Sequence, residues 1–175
     1  MGPLLPVPAP VAFAANTAAG FAQTANTTPP AALPGHPAAP AHAVNVWVPA
    51  NGAAANDQYF CHGHSLGTFA AHGYSVFSGP DLQTVLQDEW NLVGSLHNGQ
   101  AGDIVVWYNV HPGAPARLAD HSALFVNVVV GANQVVDLNN TILSSKNGTQ
   151  ALTPAISLAN LVATYGNAYA LFRHK

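Results

Sequence analysis

Two short runs of β-branched and aromatic residues, "GDIVVWY" (102–108) and "HSALFVNVVV" (121–130), constrain this chain more than any other feature. Turn residues bound them, "NGQAGD" ahead of the first and "GANQ" behind the second, so both read as strands buried on a core. A third strand is expected within 135–146, interrupted by Asn139 and Asn140, and "AYALFR" (168–173) supplies a last one. Helical spacing accounts for much of the rest. The stretch 61–72 places Leu66, Phe69 and Ala70 on one face, although Gly63 and Gly67 each cost about 1 kcal/mol inside a helix. Ser78, Pro80 and Asp81 start a second helix, with Leu82, Val85, Leu86 and Trp90 on one face. Ser157 as N-cap, Leu158, Leu161, Val162 and Tyr165 at helical spacing, and Gly166 as stop mark a third. This order predicts an α+β domain, with helices packed on one side of a small antiparallel sheet.

A chain of 175 residues holds one such domain. Residues 1–43 are dominated by Ala, Pro, Thr and Asn, a composition that offers little large apolar surface and resists regular hydrogen bonding; they read as a tail or linker. The alternative is ordered extended chain docked on the domain through Leu4, Leu5, Val7, Val11 and Phe13. The domain itself covers 44–175, from "VNVWVP" onward. Four Lys+Arg against seven Asp+Glu, a formal charge of −3, leave no basic stripe for a phosphate backbone, so nucleic acid is not an expected partner. The longest apolar runs fall far short of the roughly 18 residues that span a bilayer, and no membrane span is expected. No Lys or Arg precedes the apolar N-terminal stretch, and prolines interrupt it; no signal peptide is read there, which leaves a non-classical route if the protein is secreted. A single cysteine excludes an intrachain disulfide.

That cysteine, in "QYFCHGHSLGTF" (58–69), opens the first helix. A helix start presents unpaired N–H groups and a positive dipole end, which is expected to lower the Cys61 thiol pKa and make it a nucleophile. The base must come from a distant part of the chain. His121 is the candidate: it follows Asp120 after a loop containing Pro112, Gly113 and Pro115, and it opens a strand. A strand antiparallel to this one returns its far end, "SSKNG" (144–148), beside His121, where Ser145 or Asn147 can fix the imidazole tautomer. Backbone N–H groups of Cys61 and His62 then line the oxyanion position. Asp103, in a Gly-Asp pair ahead of a strand, reads as turn chemistry. Trp90 and Trp107 read as core and Trp47 as groove lining. A rival zinc site would use Cys61, His62 and His64, completed by His72, His97 or His111. No second Cys/His pair stands at ligand spacing, however, and on a helix His62 points away from the face that Cys61 and His64 share. A merely buried thiol is the remaining alternative. No cofactor is expected.

A cysteine opening a helix, then "GDIVVW", then a histidine heading an apolar strand in "DHSALFV", resembles the CHAP and NlpC-type branch of the papain-like cysteine hydrolases. The resemblance covers roughly 58–148. CHAP domains carry an acidic residue and an asparagine two positions apart on a later strand; Ser145 and Asn147 have that spacing, with serine where many members have glutamate. The resemblance implies a papain-like fold and a cysteine peptidase or amidase cleaving peptidoglycan peptides, or the amide joining peptide to glycan. It also implies that Gln58 or Asn56, just ahead of Cys61, can supply a further oxyanion donor. Such an activity suits cell-wall remodelling or an antibacterial toxin, for which an inhibitory or immunity protein is an expected partner. The alternative from another class is an inactive module of the same fold that binds a peptide or protein in its groove.

Overall fold

The computed structural model describes residues 21–24, 46–49, 60–70, 76–77, 79–110, 117–148 and 150–175. Strands β1 (Phe21–Thr24), β2 (Val46–Pro49) and β3 (Val76–Phe77) pair antiparallel in that order. Phe21–Thr24 falls inside the Ala/Pro-rich segment, and these four residues pair with β2; Leu4, Leu5, Val7, Val11 and Phe13 lie outside the described residues. The remainder of 1–43 lies outside the described residues.

Helices α1 (Cys61–Ala70) and α2 (Gly79–Glu89) lead into the main sheet, built from β4 (Trp90–Val93), β5 (Ile104–Val110), β6 (Arg117–Asn127), β7 (Ile142–Ser145), β8 (Thr153–Ser157) and β9 (Tyr169–His174). Its order is β4-β9-β5-β6-β7-β8, with every neighbouring pair antiparallel. Alternation along the central strands sorts the core into two layers. Ile104, Val106, Leu124 and Phe172 pack with Leu66 of α1 and with Leu82, Val85 and Leu86 of α2. Val105, Trp107, Ala123, Phe125, Leu143 and Leu171 face the other way, onto Leu158 and Leu161 of α3 (Leu158–Tyr165). The helices therefore cover both faces of the sheet, which corrects the one-sided packing expected from sequence. The cause is local: β8 passes directly into α3, so α3 folds back over the face that α1 and α2 leave bare. Leu158 and Leu161, 0% and 3% exposed, each contribute roughly 1.5–3 kcal/mol by that burial.

The third helix ends as its residues predict. The Ser157 hydroxyl accepts the Asn160 N–H, and Gly166 closes the helix at φ 87°, a left-handed conformation that favours glycine. Trp90, expected to extend α2, instead opens β4 opposite His174, yet stays buried in the same cluster. Asp103, 3% exposed, accepts the Gln100 N–H and both prongs of the Arg173 fork, tying the turn before β5 to β9.

One irregularity positions the site. β6 begins at Arg117, so His121 lies within the strand and does not open it, a second correction. Trp107 pairs with His121 but Tyr108 pairs with Ala119, which leaves Asp120 as the extra residue of a β-bulge. Without it, residues 119 and 121 would share a face. With it, Ala119 packs toward α1 and α2 while His121 turns toward Trp107 and α3.

Candidate active site

β7 makes its last pair with β6 at Ala123↔Ser145, so on that side no strand among the described residues pairs with β6 from Ser122 backward. The first residue of α1 occupies this place. Enclosure of the Cys61 thiol pushes its pKa up to about 11, and the Asp120 charge adds to the rise; the N–H groups of Ser122, of His62 and of Cys61 itself draw it down by less. The lowered pKa expected at a helix start is thus overturned, because a thiolate there would lose more hydration than those N–H groups return.

A ring nitrogen of the adjacent histidine stands beside the sulfur. His62 Nδ1 lies 3.7 Å from Cys61 Sγ and 2.9 Å from Ser122 Oγ, while the Ala119 carbonyl also bonds the ring. A carbonyl can only accept, so the His62 ring donates to Ala119. The expectation that His62 points away is corrected. At the first turn of α1 both side chains lean on one residue of β6, Ser122, whose N–H donates to the sulfur and whose hydroxyl bonds the imidazole.

His64 Nε2 lies 3.0 Å from Ser144 Oγ, and His121 Nε2 lies 2.8 Å from Ser145 Oγ. Alternation assigns these serines: Ser144 faces α1, and Ser145 faces the opposite layer with His121. Burial lowers all three imidazoles. His62 falls to about 4 and His121 to about 3, the latter helped by neighbouring His62 and His64 and opposed by Asp120; His64 falls with help from the Lys146 charge. The His121 ring lies flat against Tyr165, centroids 4.0 Å apart and planes within 7°, and Trp107 tilts against it at 5.8 Å. Tyr165 also feels the Cys61 sulfur: after burial, Cys61 is the next cause of its raised pKa.

The structure thus places Cys61 and His62 against Ser122 on the α1 side of β6, and His121 with Ser145 on the side that faces α3; among the described residues no hydrogen bond joins Cys61 to His121. Asn147 lies past the end of β7, exposed, its carbonyl accepting the Gln150 N–H, and Ser145 is the residue bonded to His121. His97 bonds Ser95 in a 3-10 turn. Gln58, Asn56, His72 and His111 lie outside the described residues, and for Trp47 only the backbone of β2 is described. No group of three or more His, Cys, Asp or Glu side chains among the described residues is arranged to hold a metal ion. Ser122, Tyr165 and the His62 ring were not singled out from sequence. The adjacent "CH" at a helix start is the one local signal for His62; the other two depend on tertiary register. No described helix is long and apolar enough to cross a membrane. Comparison with protein-family models, with curated proteins and with solved structures finds no match for the chain.

Proposed function

We propose that the protein is a thiol-dependent amide hydrolase of papain-like fold, with the domain at 44–175, in which Cys61 is the nucleophile, His121 the base and Ser145 the group that orients it. The observation that carries this reading is the 2.8 Å bond between Ser145 Oγ and Nε2 of His121, next in the chain to Ser122, whose N–H bonds the sulfur of the cysteine that opens α1. With Ser145 accepting Nε2–H, Nδ1 of His121 keeps the lone pair that a base needs.

The resting site is neutral, a thiol near 11 and an imidazole near 3, so no thiolate–imidazolium pair stands ready. The thiol proton passes to His121 as Sγ attacks the amide carbonyl and the S–C bond forms. The N–H groups of Cys61, His62 and Ser122 that face the sulfur receive the developing oxyanion. The C–N bond then breaks, His121 returns the proton to the leaving amine, and an acyl-thioester remains. Water attacks that thioester with His121 again as base, releasing the acid and restoring the thiol.

The resemblance to CHAP and NlpC-type enzymes suggests a peptidoglycan peptide or related amide as substrate. Cell-wall remodelling or antibacterial attack, the latter restrained by an inhibitory or immunity protein, are the corresponding roles. Incubation with purified peptidoglycan should release new primary amines, and Cys61→Ala or His121→Ala should reduce the rate at least about a thousandfold. Release that survives Cys61→Ala would end this reading. A peptide-binding module of the same fold is the second reading, favoured by the raised thiol pKa and by a sulfur whose side-chain contact is His62. It predicts that wild type and Cys61→Ala bind peptidoglycan equally and that neither releases amine.

A further inference from the structure

We propose that Tyr165, the last residue of α3, is the positioning residue for His121, its ring lying flat on the imidazole and fixing the plane in which the base meets the thiol. The catalytic part of this inference rests on the hydrolase reading; the structural part does not.

One hydrogen bond cannot orient an imidazole. The Ser145 contact holds Nε2 but leaves the ring free to swing about that point, and a base turned out of line with Sγ is a poor acceptor. Tyr165 removes this freedom: a plane-to-plane contact at 4.0 Å and 7° permits one ring orientation. Trp107 closes the arrangement from β5, tilted 46° to both His121 and Tyr165.

Tyr165 is itself fixed. Leu158 and Leu161 bury the inner face of α3, and the Gly166 N–H bonds the Val162 carbonyl. The Trp107 indole N–H donates to the Gly166 carbonyl at 3.1 Å, so the residue that flanks His121 also ties down the end of the helix that covers it. Among the described residues the Tyr165 hydroxyl has no hydrogen-bond partner, so the position uses the ring and not the phenol. The helix belongs to the part of the chain beyond 148, outside the stretch that carries the family resemblance. Tyr165 is therefore assigned by its contact alone.

Three substitutions in the full chain test this, read by NMR titration of the His121 Cε1 proton, assigned with His121→Gln, and by hydrolysis kinetics. His62 and His64 of α1, Asp120 of β6 and Ser145 of β7 surround His121 and stay unchanged in each. A stacked ring also attracts an imidazolium, but burial is the larger effect here. Tyr165→Ala, which admits water, should therefore raise the His121 pKa by at least a full unit, by about the scale of ordinary environmental shifts. Tyr165→Phe should leave both titration and rate as in the wild type. Tyr165→Leu keeps apolar cover without a flat ring: the low titration should persist while kcat falls about ten- to hundredfold with KM unchanged. The proposal is overturned if Tyr165→Ala leaves the titration unmoved in a folded protein, if Tyr165→Phe behaves like Tyr165→Ala, or if Tyr165→Leu retains the full rate. A wild type without hydrolytic activity whose His121 still titrates higher in Tyr165→Ala would sink the hydrolase and support the stack.

Discussion

Ser145 and Ser122 divide two histidines between them, and their hydroxyls should be separable by mutation. Ser145→Ala removes the one hydrogen bond that orients His121 among the described residues. A lost bond of about 1–2 kcal/mol predicts a kcat/KM about five- to thirtyfold lower, with little change in the urea midpoint. Ser122→Ala acts on His62, and kcat/KM should fall less than for Ser145→Ala; the reverse ranking would make His62 the more important imidazole. That His121 meets the 144–148 stretch was legible in the sequence, because an antiparallel return from an apolar strand brings a defined stretch back beside its start; the choice of Ser145 over Asn147 was not. The His62 contact was not, since helical-wheel reasoning assumes side chains that emerge from a formed helix and Cys61 and His62 stand at its first turn. Asp103 was legible as turn chemistry, but its ion pair with Arg173 was not, because β9 is seventy positions away in the chain. Asp103→Ala deletes three hydrogen bonds from a buried carboxylate, while Arg173 is about a third exposed and regains water. A loss of about 1–3 kcal/mol is expected from urea unfolding, with peptidoglycan hydrolysis by the folded fraction unaffected.

Elements with strong local signals came through, and those defined by their neighbours did not. Capping residues at Ser157 and Gly166 delimit α3 without help from the rest of the fold. β4 and β8 are the edges of the sheet: one is four residues long and the other carries Pro154 and mostly exposed side chains, so neither shows a buried-strand pattern. The bulge at Asp120 is invisible for a different reason, since an extra residue exists only relative to the partner strand. Gly79 shows how closely this region is built. A Cβ there would stand 2.3 Å from the Ala119 carbonyl oxygen, a clash with backbone. Gly79→Ala should therefore force α2 and β6 apart, at a cost of about 1–3 kcal/mol in urea unfolding. The same carbonyl bonds the His62 ring and holds its pKa up, so loss of that bond should lower the imidazole further below 6.5 in the variant. Unchanged stability would mean that the α2–β6 contact is looser than described.

The molecule as a whole should be most stable over a middle range of pH. His62, His64 and His121 have folded pKa values below their usual 6.5, so as pH falls through about 6.5 the unfolded chain takes up protons that the folded chain refuses. Stability should then drop by up to about 1.4 kcal/mol per pH unit for each histidine, levelling only near the folded values. Cys61 works in the opposite sense: the folded protein keeps its thiol proton up to about 11 where the unfolded chain releases it near 9.0, so stability also falls as pH rises between the two. His62→Gln and His121→Gln should flatten the acid limb of the urea midpoint, and Cys61→Ala the alkaline limb. The pairing of Cys61 with His121 is tested most directly by the pH dependence of Cys61 alkylation with iodoacetamide, read by intact mass in the wild type, His121→Ala and His62→Ala. Base assistance by His121 predicts a plateau of reactivity from about pH 4 to 8, above His121's own pKa and below a thiolate limb that rises toward about 11. That plateau should vanish in His121→Ala and persist in His62→Ala; a plateau that survives His121→Ala, or a wild type showing the thiolate limb alone, would contradict the account.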